Sequence, residues 1–473
     1  MNQDTICALA TAGGVGAIGV IRVSGAEAFS IVNKVFKGAD LEKVPSHTVH
    51  YGWIVSSLSS NEEKGNSEPI DEVMVAVFRA PKSFTTEDSV EISFHGSPHI
   101  GKKILEVLIA NGARMAKAGE FTMRAFINGR IDLAQAESIA DLIASENEAS
   151  RKVALNQLKG GISKEIGELR EQLLNFTSLI ELELDFSEED VEFADRTAMK
   201  ALLQNLKSKI SNLKDSFQYG NAIKNGIDVA IIGKPNAGKS TLLNALLKEE
   251  RAIVSDIAGT TRDTIEEVLH INGTAFRFID TAGIRETTDV IEEIGVKKAK
   301  EKIASAKILL YLYDSIDSTI EEVIDFVKEV WREDLKIILL HNKVDEEANK
   351  DWSLDFDKEL LMSLCPNFLE LILRISAKNN ENIDTLKYEL SDYVESLKSE
   401  ESNVVITNQR HYEALQKSWD SVIRVEDAIA HHLPTELLAY ELRNALEHLG
   451  EISGTYTNDE ILGNIFSKFC IGK

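Results

Sequence analysis

Gly233-Lys-Pro-Asn-Ala-Gly-Lys239-Ser240-Thr241 follows the apolar run Asp228-Val-Ala-Ile-Ile232 and opens a helix-like stretch from Leu242 to Leu247. An apolar strand running into a glycine loop and then a helix aims backbone N–H groups and a helix N-terminus at one point, where an anion is favoured. The phosphates of a nucleotide are the expected ligand, contacted by Asn236, Ala237, Gly238, Lys239, Ser240 and Thr241. Lys239 is expected to bridge the outer phosphates. The Ser240 hydroxyl is expected to hold Mg²⁺, which prefers hard oxygens and keeps several waters.

Further motifs follow in the order a guanine-nucleotide switch requires. Asp280-Thr281-Ala282-Gly283 comes after Thr274–Ile279, a predicted buried strand that would deliver Asp280 to the metal's outer shell and Gly283 to the γ-phosphate. Lys307–Tyr313 and Lys336–Leu340 read as buried parallel strands, and the second runs into His341-Asn342-Lys343-Val344-Asp345. A carboxylate in that arrangement accepts two hydrogen bonds from the guanine N1–H and exocyclic amine, which adenine cannot supply, so base choice falls on Asp345. Ser376-Ala377-Lys378, after another apolar strand, would cap the base with backbone N–H groups. Four motifs in order, each at a predicted strand end, argue against coincidence. The segment from about Ile227 to Val394 resembles a translation-factor-related small GTPase domain of Ras-like α/β type with a mostly parallel sheet.

Two features depart from the Ras type. Ile284 follows Asp280–Gly283 where Ras-like proteins carry a water-orienting glutamine, and it can neither donate nor accept a hydrogen bond. Glu292 or Glu293 could reach in from the loop Arg285–Gly295. In addition, Asn236 and the stretch Ser255-Asp256-Ile257-Ala258-Gly259-Thr260-Thr261-Arg262-Asp263 offer amide, carbonyl and hydroxyl oxygens suited to a hard monovalent cation, which could stabilise transition-state charge in place of an arginine finger. Thr261 is the natural second Mg²⁺ ligand.

Composition limits the alternatives. A chain of 473 residues should hold about three domains at roughly 150 residues each. With 43% hydrophobic and 27% charged residues, and no apolar run near the ~20 residues of a membrane helix, it reads as a cytoplasmic protein. Cys7, Cys365 and Cys470 are odd in number and widely separated, which implies neither a disulfide framework nor a zinc knuckle. A net charge of −25 argues against a broad electrostatic footprint on nucleic acid, so RNA would need a local patch or a basic partner.

Outside the GTPase segment the pattern divides the chain into 1–118, 119–226, 227–395 and 396–473. The first holds short β-branched runs (Ile18–Val23, Val73–Phe78, Val90–Phe94) and a helical run, Ile100–Asn111, hence an α+β domain. The second shows helical spacing, as in Leu133, Ala136, Ala140 and Ile143, or Leu169, Leu173, Phe176 and Ile180. Helical character stops at the third segment and resumes in the fourth, Arg410–Leu433 and Leu437–Gly450. The economical architecture is multidomain α/β: an all-α helical domain interrupted by an inserted GTPase, since insertions succeed where chain ends lie close. Gly14-Val-Gly16-Ala-Ile-Gly19 fits the dinucleotide pattern but leads into a predicted strand, not a helix, and is set aside.

Motifs at both ends carry a more specific likeness. Thr5-Ile-Cys-Ala-Leu-Ala-Thr, Gly19-Val-Ile-Arg22-Val-Ser-Gly25, Ser83-Phe-Thr-Thr-Glu87-Asp, Ala118-Gly-Glu-Phe-Thr, Arg130-Ile-Asp-Leu-Ala-Gln-Ala-Glu137, Gly259-Thr-Thr-Arg-Asp263 and Phe469-Cys-Ile-Gly-Lys473 resemble the tRNA modification GTPase family MnmE (TrmE), over essentially the whole chain. The resemblance implies a GTP-hydrolysing homodimer that works with a flavoprotein, MnmG (GidA). Together they place an aminomethyl or carboxymethylaminomethyl group on C5 of the wobble uridine of certain tRNAs. The one-carbon unit would come from a tetrahydrofolate, in 5-formyl or 5,10-methylene form, in the N-terminal domain. It assigns folate contacts to Arg22, Glu87, Arg130 and Lys473. Their chemistry fits a ligand whose carboxylates need cations and whose pterin edge needs a carboxylate; family members often carry Lys where this chain has Arg130. It further implies K⁺ held by Asn236 with oxygens of Ser255, Ile257 and Thr260, Mg²⁺ at Ser240 and Thr261, and a water-orienting Glu292. Cys470 is a candidate nucleophile. Dimer contact through the N-terminal domains is also implied, with the GTPase domains meeting when K⁺ and GTP bind. The competing expectation, a ribosome-assembly or signalling GTPase without modification chemistry, predicts no folate binding.

Overall fold

The computed structural model describes residues 4–56, 68–185, 196–247, 266–279, 303–346, 352–364, 371–398, 404–457 and 459–472. These fall into two compact units, one of residues 1–143, 156–203 and 417–473, the other of 144–155 and 204–416.

In the first unit the β-branched runs form a seven-stranded sheet of β1 (Ile6–Leu9), β2 (Ile18–Ser24), β3 (Phe36–Lys37), β4 (Thr48–Val55), β5 (Pro69–Phe78), β6 (Ser89–His95) and β7 (Arg114–Met115), in the order β3-β4-β5-β6-β2-β1-β7. The sequence motif Gly14–Gly19 leads into β2, whose first two residues are its Ile18 and Gly19. Inward residues Ile21, Val23, Val73, Val75, Val77, Val90 and Ile92 join one apolar core with helices Ala28–Asn33 and Pro98–Ala110. Burying each such side chain is worth about 1.5–3 kcal/mol. A one-residue slip would turn the whole set outward, so this alternation fixes the register. The second helix starts at Pro98, two residues before the predicted run, because proline's fixed φ suits a first helical turn.

Helices Glu120–Ile127, Leu133–Ile143, Gly161–Asp185, Thr435–Ser453 and Asp459–Ser467 also belong to this unit. Ile162, Ile166, Leu169, Leu173 and Ile180 form the buried stripe of the long helix, which packs against Thr435–Ser453. Residues 470–472 lie against the sheet domain: Ile471 bridges Ala118, and Gly119 N donates to Cys470 O at 3.3 Å. Gly472, at φ +96°, sits so close to β1 that a Cβ would collide with the Leu9 carbonyl.

In the second unit a six-stranded sheet runs β13-β12-β11-β8-β10-β9, from β8 (Ile227–Gly233), β9 (Glu266–Ile271), β10 (Thr274–Ile279), β11 (Ile308–Tyr313), β12 (Lys336–His341) and β13 (Leu371–Arg374). All pairs are parallel except β9–β10, a hairpin turning at Asn272 and Gly273, whose φ of 49° and 82° call for Asn-Gly. Every residue of β11 is buried, because helices cover both faces. Leu242, Leu246, Leu386 and Leu390 pack on one side and Val323, Val327, Leu360 and Leu364 on the other. The helix Ile320–Val330 carries a full capping box from Thr319 and Glu322. Ahead of β8, residues 216–220 meet 405–412: Ile406 N donates to Ser216 Oγ at 3.1 Å, and Phe217 stacks on Tyr412 at 4.8 Å. No described helix is long and apolar enough to cross a membrane.

Candidate functional site

A parallel sheet gathers loops at the carboxyl ends of its strands, and the expected nucleotide residues lie there. β8 ends at Gly233 and the helix Lys239–Leu247 begins after a loop in which Asn236 and Gly238 take φ of 65° and 99°. The Lys239 ammonium donates to the carbonyls of Gly233 at 2.7 Å and Lys234 at 2.8 Å, so its charge is held inside the loop. Ser240 and Thr241 are exposed on the first turn.

Asn342 ties this loop to the base-side turn. Its side chain is buried; Nδ2 donates to Ala237 O at 2.8 Å, and Oδ1 accepts from Ala377 N at 3.1 Å. A Cβ on Gly238 would collide with that Nδ2. Lys343, at φ 63°, donates from Nζ to Asp314 Oδ2 at 2.8 Å. Burial pushes the Asp314 carboxyl up, but the bonds from Lys343 and from the N–H groups of Asp317 and Ile316 outweigh it and hold it below its ordinary value. Ser376 exchanges backbone bonds with Glu381 and accepts from Asn379 N at 3.2 Å, which shapes the turn presenting Ala377 and Lys378. A cavity of about 290 Å³ opens between Thr241, Asn244, Ala245 and Leu247 of the helix and Ala377, Lys378 and Asn380 of the turn. Asp345 is half-buried, and its carboxylate takes no hydrogen bond from the described residues. A cavity near the ~300 Å³ lower bound of small-molecule sites, the helix N-terminus at Lys239 and the half-buried Asp345 carboxylate are the features a guanosine phosphate calls for. The expected residues Ser255, Asp256, Ile257, Ala258, Gly259, Thr260, Thr261, Asp280, Thr281, Ala282, Gly283, Glu292 and Lys473 lie outside the described residues.

The first unit brings Arg22 and Arg130 over one aromatic ring, Phe84, with Glu87 on the same loop. The β2–β6 register sets Arg22 opposite Glu91, and Nε and Nη2 both donate to Glu91 Oε1, at 2.9 and 2.8 Å. The Arg22 guanidinium lies over Phe84 at 5.2 Å and Phe121 at 5.7 Å; that of Arg130 lies over Phe84 at 5.1 Å and donates to Ser83 O at 3.0 Å. Glu87 accepts from Ser24 Oγ at 2.8 Å and from Arg124 Nη1 at 3.2 Å. Arg22 and Glu87 thus come already paired, whereas Arg130 has no carboxylate partner among the described residues. Arg124 and Phe84 were not anticipated, although Phe84 stands within the quoted Ser83–Asp88 motif.

Arg124 continues into an ion network: Nη2 donates to Asp4 Oδ1 at 2.8 Å and Glu120 Oε1 at 3.2 Å, and Arg114 bridges the same two carboxylates at 2.7 and 2.6 Å. Burial raises the Glu120 carboxyl, but Arg114, the Lys117 N–H and Arg124 bring it below its ordinary value. Cys470 is exposed, whereas burial pushes the Cys7 thiol up to about 11, which removes it as a nucleophile.

Residues 133–470 match the family model of the MnmE helical domain, and residues 5–130 that of the GTP-binding protein TrmE N-terminus. Proteins named tRNA modification GTPase MnmE from Flavobacterium johnsoniae, Cytophaga hutchinsonii and Christiangramia forsetii are each 50% identical. The alignments cover 100% of this chain and 100%, 98% and 99% of theirs. A solved structure of Aquifex aeolicus Era bound to GDP and AlF4⁻ is 30% identical over 41% of this chain and 66% of its own, with a TM-score of 0.28, a likeness too partial to bear on function.

Proposed function

The chain belongs to the MnmE (TrmE) family of tRNA modification GTPases, and from that premise we propose that it couples GTP hydrolysis to folate-dependent modification of C5 of the wobble uridine, with the flavoprotein MnmG as partner. Full-length relatives of that name favour this reading over a ribosome-assembly or signalling switch. In the second unit, Lys239 neutralises the outer phosphates, Ser240 offers its hydroxyl to Mg²⁺, and Asp345 accepts from the guanine edge. Asn236, exposed within the phosphate loop, would hold K⁺ with oxygens of Ser255, Ile257 and Thr260. Thr261 would be the second Mg²⁺ ligand with Asp280 in the metal's outer shell, and Glu292 would orient water. The close pairing of residues 216–220 with 405–412 supports a GTPase inserted at 227–395 into a helical domain of residues 119–226 and 396–473, after an N-terminal domain of 1–118.

The observation that carries the folate reading is the convergence of Arg22 and Arg130 on Phe84, with Glu87 on the same loop and residues 470–472 docked in the same unit. Arg130 would take the glutamate-tail carboxylate, and Glu87, steadied by Ser24 and Arg124, would accept from the pterin edge. Bound there, a tetrahydrofolate supplies the one-carbon unit, with the Cys470 thiol as candidate nucleophile. The outward residues Val49, Tyr51, Trp53 and Met74 leave the sheet of this unit with an exposed apolar face, which supports a homodimer through the N-terminal domain. Calorimetric titration of the full chain with 5-formyltetrahydrofolate tests the reading. Saturable binding that weakens at least about tenfold in Arg130→Ala supports it, and no heat of binding in the unaltered protein sinks it.

A further inference from the structure

We propose that His341 and Asp357 form a buried clamp that positions the guanine-reading turn and sharpens its discrimination of the guanine amine. This rests on the GTP-binding reading of the second unit.

The strands β11, β12 and β13 end in register, with Tyr313 opposite His341 and His341 opposite Arg374. One carboxylate, Asp357 on the helix Trp352–Leu364, gathers all three ends. Oδ1 accepts from Tyr313 Oη at 2.6 Å and from His341 Nδ1 at 2.8 Å, and Oδ2 accepts from Arg374 Nη1 at 2.8 Å. The imidazole also stacks on the Tyr313 ring at 4.9 Å. His341 is fully buried and Asp357 nearly so. Burial drives the Asp357 carboxyl up, yet the bonds from His341 and Tyr313 and the charges around it hold it below its ordinary value.

The next residues along each strand belong to the nucleotide site. Asp314 after Tyr313 receives Lys343; Asn342 after His341 reaches Ala237 and Ala377; Ile375 after Arg374 leads to Ser376. Backbone bonds couple the layers, from Asn342 N to Tyr313 O at 2.9 Å, Ile375 N to His341 O at 2.8 Å and Val344 N to Ile375 O at 3.4 Å. A shift of the imidazole therefore moves Asn342 and the turn that carries Asp345. Apolar side chains of similar volume would often fill such a space at no loss of stability, so a buried carboxylate with three donors is better explained by the geometry it enforces.

His341→Phe keeps the stack and removes the Nδ1 donor; His341→Asn restores a donor near that position. Dissociation constants for GDP and for IDP, whose base lacks the amine, are measured on the full chain beside melting curves and kcat at saturating GTP. His341→Phe is expected to weaken GDP about tenfold and IDP about threefold or less, with kcat within about twofold, and His341→Asn to recover most of the difference. Equal losses for GDP and IDP, unchanged affinities, or no recovery in His341→Asn would overturn the clamp. If His341→Phe does not fold, Asp357→Asn is read by the same criteria. Failure of the unaltered protein to bind GDP would instead strike the GTPase reading itself.

Discussion

Asn342→Ala tests whether the phosphate loop and the base-side turn act as one device. The side chain spends both polar atoms on other loops, at 2.8 Å to Ala237 O and 3.1 Å from Ala377 N, with almost no exposure to water. Truncation leaves a carbonyl and an N–H unsatisfied, each costing about 1–3 kcal/mol when buried, or about 2–6 kcal/mol together. If the loops relax apart to hydrate these groups, a nucleotide must draw them together again before it binds. Even the lower bound, about 2 kcal/mol, corresponds to a roughly 30-fold loss of affinity. Titration with a fluorescent GDP analogue, alongside thermal melting, reads this directly. Asn342→Asp is the matching control. It keeps an acceptor for Ala377 N, sets a second oxygen against Ala237 O, and should bind no better than Asn342→Ala. A loss below about threefold in a variant with an unchanged melting temperature would refute the coupling, since the loops would then be aligned without this side chain.

Other expectations follow from the same geometry. The Glu120 carboxyl sits below its ordinary 4.5 in the folded state, so its contribution is present above that pH and is lost as pH falls through the lowered value; urea melts of Glu120→Gln should start weaker near pH 7 and decline less on acidification, and parallel curves would contradict this. Gly472→Ala forces a Cβ toward the Leu9 carbonyl from a left-handed backbone, and should release residues 470–472, seen as faster proteolysis of that segment; unchanged protection counts against tight docking. Replacing K⁺ by Na⁺ should slow GTP turnover while leaving GDP affinity within about twofold, and equal rates would remove the monovalent ion from the site.

The GTPase half was legible because its signals are local. β8, β11 and β12 are covered on both faces and read as unbroken apolar runs, and each motif sits within a few residues of a strand end. β4 escaped notice, since Val49, Tyr51 and Trp53 point outward and erase the polar half of its alternation. The helical spacing of Leu133, Ala136, Ala140 and Ile143 appears as the helix Leu133–Ile143, with only its last residue, Ile143, turned to the surface among these four. Arg124 could not be placed from sequence, as its partners Asp4 and Glu87 lie 120 and 37 residues away. The Asp357 carboxylate is likewise joined to His341 only by the packing of helix on sheet.

Docking of residues 470–472 beside Leu9 and Gly119 also sets an order of events during synthesis. At about 5–20 residues per second, a ribosome that has finished β1 works for roughly 25–90 s before the segment that covers it emerges. The second unit is complete by residue 416, before the last segment of the first unit is made. A chain arrested after that point would hold a finished nucleotide-binding unit and an unfinished sheet unit. Unions across such sequence distance form slowly, so the contacts of residues 470–472 with Leu9, Ala118 and Gly119 are among the last to form in the sheet unit.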